Sequence, residues 1–167
     1  MSTRQDEFER VAMPHTRSLL RVARRLACDR AAAEDLVQET MLLAWRSFHQ
    51  FRADSNARAW LFRIMMNAFH GRGRRIRVAP VMVPLAAADH KIGTSSCEAL
   101  EVAQALAEMA EEHRTVLLLG VVEGFTCREL AEILSVPIGT VMSRLSRARQ
   151  AMRTRLDPET KCAEKEA

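Results

Sequence analysis

Tyrosine is absent from this sequence, and aromatic residues make up only 5% of its 167 positions. Strands draw heavily on aromatic and β-branched residues, so this scarcity argues against a sheet-based fold. No run of about 18 apolar residues occurs, which argues against a membrane-spanning helix. The four cysteines, Cys28, Cys97, Cys127 and Cys162, are widely scattered, with no CxxC pair and none beside a histidine at zinc-ligand spacing. The five histidines, His15, His49, His70, His90 and His113, are equally dispersed. The cysteines are therefore read as reduced, and neither a metal nor another cofactor is expected. No acid–base, nucleophile or metal constellation emerges, so an enzyme is the least favoured class. The opening MSTRQDEFER mixes acids with bases, unlike a signal peptide, and the expected compartment is the cytoplasm.

Apolar residues reach 48%, enough for a core, and charged residues 28%. Alanine, leucine, arginine and glutamate dominate, which favours helix. The net charge of +4 is modest, but its distribution is not. Residues 55–88 hold six arginines and no acid; residues 98–134 hold eight glutamates against two arginines; residues 137–156 hold five arginines and no acid. Two basic blocks flank an acidic one, a pattern that suggests two nucleic-acid contacts.

The chain is organised around residues 125–153, FTCRELAEILSVPIGTVMSRLSRARQAMR. Thr126 followed by Glu129 fits a capping box, so a helix opens there. Ser135-Val136-Pro137 breaks the pattern, and proline suits the first turn of the next helix. Val141, Leu145, Ala148 and Met152 give that second helix an apolar stripe. Its opposite face carries Thr140, Ser143, Ser146, Arg147 and Gln150, with Arg144 beside them. A solvated helix usually mixes signs to gain i,i+4 pairs, whereas arginines alone suit a polyanion. A helix-turn-helix with the second helix as reader is the favoured reading. The alternative is a basic amphipathic helix packed on a partner or on acidic lipid.

In chain order, residues 6–27 form a helix interrupted at Pro14, as a kink or as two short helices. Asp29 is the expected N-cap of a helix over residues 30–48. Ala33, Leu36, Val37, Met41, Ala44, Trp45 and Phe48 make its buried stripe. Asp35, Gln38, Glu39 and Leu42 remain on the other side. That face is either a docking surface or ordinary solvated helix, and periodicity alone favours the latter. After the loop HQFRADS, a helix capped by Ser55 or Asn56 runs to about His70. Arg58, Arg63 and Asn67 are expected to share a flank, with Arg52 in the loop before them. That flank is equally readable as solvated or as holding a phosphate or base edge. Trp60 is expected in the core. Residues 71–97, with glycines, arginines and prolines, are read as a linker and domain boundary. Helices over residues 98–109, with Leu100, Ala103, Leu106 and Met109 inward, and 113–122, ended by Gly124, pack under the helix-turn-helix. The tail after Leu156 is expected to fray.

Read together, the segments resemble a small bacterial sigma factor of the extracytoplasmic-function group of the sigma-70 family. AEDLVQETMLLAWRSF resembles the polymerase-docking helix, FRADSNARAWLFRIMMNAF the reader of the −10 element, and EGFTCRELAEILSVPIGTVMSRLSRAR the −35-reading helix-turn-helix. The resemblance implies an all-α chain of two small domains: a region 2-like domain over 1–70, a flexible linker over 71–97 and a region 4-like domain over 98–156. It implies that Asp35, Gln38, Glu39 and Leu42 bind core RNA polymerase, displacing the solvated reading. Arg52, Asp54, Ser55, Asn56, Arg58, Arg63 and Asn67 fall on the −10 segment, where the family captures a flipped base of melted DNA in a loop pocket. Arg128, Thr140, Met142, Ser143, Arg144, Ser146, Arg147 and Arg149 fall on the reader of the double-stranded −35 element.

There are departures from the pattern. Ala57 stands where a larger residue is usual, Met142 where lysine or arginine is common, Ser135 for a frequent turn glycine and Ala110 for a frequent proline. The motifs lean toward the general-stress-response branch, which implies an anti-sigma protein as a further partner. The implied function is promoter recognition as a polymerase subunit, without catalysis and without a membrane partner. The rivals are a stand-alone helix-turn-helix regulator, for which no dimerisation helix is evident, and a sigma mimic that titrates an anti-sigma protein, which has no need of two arginine-rich, acid-free segments.

Overall fold

A computed structural model describes residues 3–27, 29–78 and 97–156, and among these every regular element is helical. They divide into two compact units, one drawn mainly from each half of the chain. The first unit opens with α1 (Arg4–Ala12), a 3-10 turn (Met13–His15) and α2 (Thr16–Leu26). Pro14 lies in that turn, so the expected interruption takes the two-helix form. α1 begins earlier than its apolar spacing suggests, because Thr3 caps it: its hydroxyl accepts from the Asp6 N–H at 3.2 Å, and its own N–H donates to the Asp6 carboxylate at 2.7 Å.

α3 (Arg30–Ser47) starts on the expected cap, with Asp29 Oδ1 accepting from the Ala32 N–H at 2.7 Å. Its buried side holds Ala33, Leu36, Val37, Thr40 and Ala44, while Met41, Trp45 and Phe48 are only half-buried. Thr40 joins this side because its hydroxyl donates to the Leu36 carbonyl at 2.7 Å and so hides no unpaired donor. A 3-10 turn (Phe48–Gln50) and a loop lead to α4 (Ala57–Val78). Leu61, Phe62, Met65 and Met66 on α4 are fully buried against the remainder of this unit. An edge-to-face cluster extends the core: Phe8 lies 5.2 Å from Trp45 and 5.3 Å from Phe48, between ring centroids.

α4 corrects one expectation. It continues through Gly71 and Gly73 to Val78, where the composition predicts linker. Each glycine costs about 1 kcal/mol of helix propensity, but arginine is a good helix former. Arg72 also gains a tertiary partner: its Nε and a terminal nitrogen both lie 2.6 Å from Glu39 Oε2 on α3. The remaining predicted linker, residues 79–96, lies outside the described residues, as does the predicted frayed tail.

The second half of the chain holds α5 (Cys97–Ala107), α6 (Glu111–Leu117), one π turn (Leu118–Val122), α7 (Cys127–Leu134) and α8 (Ile138–Leu156). The predicted helix over 113–122 thus begins earlier, at Glu111, and widens at its end. On α5, Leu100 is exposed rather than inward, Ala103 and Leu106 are half-buried, and Ala105 and Met109 carry the burial. Gly120 faces Leu130 and Leu145, where a Cβ would sit in ordinary contact, 3.4 Å from Leu130 Cδ1 and 3.7 Å from Leu145 Cδ1. Gly124 then turns the chain with φ of +72°.

Candidate nucleic-acid interface

The reading helix is held by three local devices. Thr126 and Glu129 form the predicted capping box: the Thr126 N–H donates to Glu129 Oε2 at 2.8 Å, and the Glu129 N–H donates to Thr126 Oγ1 at 3.3 Å. Ser135 turns the chain between α7 and α8 with φ of +54°, left-handed geometry that glycine adopts without penalty. Pro137 then opens α8, its carbonyl accepting from the Thr140 N–H at 2.9 Å. Val141, Leu145 and Ala148 are buried as the stripe predicts, whereas Met152 is only half-buried.

Burying that stripe fixes the opposite face. Met142, Ser143, Ser146, Arg147, Arg149 and Gln150 are all exposed, and Arg128 is exposed on α7. Thr140 is half-buried; its carbonyl accepts from the Ser143 hydroxyl at 3.0 Å. Arg144 departs from the group. Its guanidinium lies 2.8 Å from Glu112 Oε2 on α6, with only 23% of the side chain exposed. It is a strut between helices rather than a member of the open face. Arg155 braces the far end, donating to the Ala105 carbonyl at 3.0 Å.

On α3, Asp35, Gln38 and Leu42 share an exposed face at i, i+3 and i+7 spacing, and Leu42 is 60% exposed. Leu43, which the spacing analysis did not single out, is also exposed. Glu39 differs from its neighbours, being half-buried and bound to Arg72.

The loop before α4 carries two local contacts. The Ser55 hydroxyl donates to the Arg52 carbonyl at 2.7 Å, and Arg52 pairs with Asp54 at 3.3 Å. Asn56, rather than Ser55, caps α4, its Oδ1 accepting from the Ala59 N–H at 3.1 Å. Phe48 and Phe51 stack with centroids 5.8 Å apart, and Trp60 lies 4.9 Å from Phe51; Trp60 is half-buried in this aromatic cluster rather than in the fully buried core expected of it. Beside this aromatic wall opens a cavity of about 650 Å³, lined by Phe48, Phe51 and Ser55 and, from α1, by Arg4, Glu7 and Arg10. The part played by α1 was missed by spacing alone, although the Thr3–Asp6 cap signals its start.

Arg63 and Asn67 are exposed at i, i+4 spacing on one flank of α4. Arg58 does not join them. It is half-buried, with its guanidinium carbon 5.8 Å from the Phe62 ring centroid. Burial, and secondarily the Arg58 charge, lowers the pKa of His15 below its ordinary 6.5. Among the described residues, no cluster of three or more histidine, cysteine or acidic side chains could hold a metal.

Two family models match these two halves: Sigma-70 region 2 over residues 11–77, and Sigma-70, region 4 over residues 99–152. The ECF RNA polymerase sigma factor SigL of Mycobacterium tuberculosis is 34% identical over 150 residues, covering 85% of this chain and 84% of SigL. The chain belongs to the sigma-70 family of RNA polymerase sigma factors, in its extracytoplasmic-function (ECF) group. The RNA polymerase sigma-H factor of Pseudomonas aeruginosa is 30% identical over 90% of this chain and 86% of its own length. Among solved structures, the sigma factor RpoE of Bartonella quintana, crystallised with the anti-sigma factor NepR, matches with a TM-score of 0.80 and 30% identity. That match covers 91% of this chain and 98% of RpoE.

This sigma factor therefore binds core RNA polymerase and promoter DNA and directs initiation of transcription. The region 2 match reaches residue 77, so it includes the extension of α4 past Gly71. No described helix is long and apolar enough to cross a membrane.

Proposed function

We propose that this sigma factor divides its work among three surfaces. Asp35, Gln38 and Leu42 on α3, with Glu39 beside them, dock on core polymerase. Arg52, Asp54, Ser55 and Asn56 in the loop, with Arg63 and Asn67 on α4, receive the melted −10 strand, and Arg58 supports them from the core side. Ser143, Ser146, Arg147 and Arg149 on α8, with Met142, face the −35 duplex; Arg128 approaches its backbone from α7, and Thr140 and Arg144 hold the reading helix in place. The proposed division of the chain is a polymerase and −10 domain in the first half, a tether, and a −35 domain in the second.

One observation carries the −35 reading. The exposed face of α8 bears serines and arginines, and no acid occurs in residues 137–156. Such a face can neutralise phosphates and grip guanine edges bidentately. The cavity beside Phe48 and Phe51 supports the −10 reading, because it has an aromatic wall and cationic side chains at its rim. The protein works in the cytoplasm without catalysis of its own. The likeness to RpoE crystallised with the anti-sigma factor NepR supports an anti-sigma protein as regulator; the lean of the sequence motifs is what suggests the general-stress-response branch.

Two modules on a tether each bind weakly, and polymerase fixes their spacing so that their contacts add. Run-off transcription with cognate core enzyme over a genomic promoter library tests the assignment. Discrete new start sites sharing an upstream pair of elements are expected. Absence of new transcripts with folded protein would transfer the weight to a sigma mimic or a stand-alone regulator.

A further inference from the structure

We infer that Ile138 and Met142 read thymine methyl groups in the −35 element, adding sequence choice by apolar contact to the polar readout. This rests on the proposed −35 role of α8. Both residues are largely exposed, Ile138 at 49% and Met142 at 57%. They are four residues apart and therefore stack on one edge of α8. The core of the unit does not use them, since Val141, Leu145 and Ala148 already provide the buried stripe. Two large apolar side chains thus stand in water at the N-terminal end of the reading helix, the end that approaches base edges in helix-turn-helix proteins.

The same edge changes character along its length. Arg149 and Arg153 follow Met142 at 7 and 11 residues, close to two and three turns on. From Ile138 to Arg149 the helix rises roughly 16 Å, at about 1.5 Å per residue. The major groove is only about 12 Å wide. With the apolar end inside the groove, the cationic end reaches its phosphate wall. Gly139, between the two apolar residues, carries no side chain and borders open space, which leaves room for the DNA at this end of the helix.

Within the groove, an apolar tip finds its complement on thymine, which carries a methyl group where cytosine has none. A protein surface could also cover Ile138 and Met142. The occupant favoured is DNA, because the 137–156 segment surrounding them has five arginines and no acid.

The test uses holoenzyme assembled from cognate core polymerase and the full chain, on a promoter found by run-off transcription. Thymines in the upstream element are replaced by deoxyuridine, which removes the methyl and leaves the hydrogen-bonding edge unchanged. The expected result is a loss of about fourfold in initiation per contacted methyl, about one buried carbon of transfer free energy. The Ile138→Ala/Met142→Ala double variant, with its helicity checked by circular dichroism, should transcribe the thymine template less well and be indifferent to deoxyuridine. Equal transcription of both templates by the unaltered protein overturns the inference. So does an upstream element without thymine, or a double variant that loses core affinity and retains the full methyl effect, which would assign these residues to a protein contact. Initiation that is unchanged when the whole upstream element is scrambled would instead remove the −35 reading itself.

Discussion

Ser135 offers a direct measure of how tightly the helix-turn-helix is wound. Its φ of +54° is imposed by the turn between α7 and α8. An L-residue in this geometry loses roughly 1–2 kcal/mol to the contact between its Cβ and the following carbonyl. Replacing it with glycine removes that contact but releases more backbone freedom in the unfolded chain, which costs about 0.5–1 kcal/mol. Ser135→Gly should therefore stabilise the C-terminal unit by about 0.5–1 kcal/mol net, a rise in Tm of roughly 2–8 °C for a unit of this size. Gly124, at φ of +72°, provides the opposite perturbation. A Cβ there meets nothing within 4 Å, so Gly124→Ala should lose stability through the backbone alone, by about 0.5–1 kcal/mol once the reduced freedom of the unfolded chain is set against the strain. The assay needs care, because both tryptophans, Trp45 and Trp60, lie in the other unit and their fluorescence does not report on this one. Native-state amide hydrogen exchange along α7 and α8 reads it directly. Unchanged protection in Ser135→Gly would mean that the turn is not strained as its geometry implies.

Three further outcomes follow from the pairings. Arg147→Ala should reduce −35-dependent transcription roughly tenfold, within the range for a lost base contact, and leave stability and core binding intact; Arg144→Ala should instead lose up to about 1 kcal/mol of stability, as a partly exposed pair does, and equal effects on hydrogen exchange would show that the two arginines are alike. Glu39→Arg should weaken core binding and also lose the Arg72 pair, whereas the Glu39→Arg/Arg72→Glu swap should restore thermal stability but not core affinity; recovery of both would remove Glu39 from the docking surface. His15, with its pKa held below 6.5 by burial and by Arg58, favours the neutral ring in the fold. Its contribution is full above pH 6.5 and is lost progressively as pH falls from there toward the lowered folded value, because the unfolded chain takes up the proton first. His15→Asn should flatten that part of the stability profile in denaturation followed by tryptophan fluorescence.

Local signals carried much of the architecture, and the discrepancies at the arginines share one physical cause. Asp29, Thr126–Glu129, Pro14 and Pro137 act within a turn or so of the chain, so their caps and breaks are visible as spacing. The two glycines at 71 and 73 also act locally, and they point to a linker. Arg72 overrides part of that signal by reaching Glu39, 33 residues earlier, a partner that only the packing of α4 on α3 provides. Arg144 is the same case in reverse. Its position among Ser143, Ser146 and Arg147 suggests the open face, yet Glu112 on α6 draws it to the flank. Arg58 turns toward Phe62 rather than toward Arg63 and Asn67 for the same reason: an arginine has a long stem, and tertiary neighbours decide where its head lies. Charge patterning thus located the cationic segments, but which arginines are free to face DNA is set by the acids and rings that the fold brings to them.

The two proposed DNA surfaces differ in how they are held, and the difference matches the state of DNA each would meet. α8 is fixed along its length, by the cap on α7 before it, by its buried stripe and by Arg144 and Arg155 pinning it to α6 and α5. A rigid helix suits a duplex groove whose geometry is already set. The loop before α4 carries short-range contacts, Ser55 to the Arg52 carbonyl and Arg52 to Asp54. The Arg52–Asp54 pair is highly exposed, 80% and 72% for the two side chains, so releasing Arg52 to a phosphate sacrifices at most about 1 kcal/mol. Asn56, which caps α4, can keep the helix in place while the loop ahead of it rearranges. A melted strand offers no fixed groove, and a loop that reshapes at small cost above a stable aromatic wall can follow it. Asp54→Asn should therefore raise the on-rate for single-stranded −10 DNA at low salt by removing the competing anion, with little change in −35 binding. An unaltered or slower on-rate in stopped-flow measurements with holoenzyme would mean that Asp54 holds the loop in its receptive form rather than restraining Arg52.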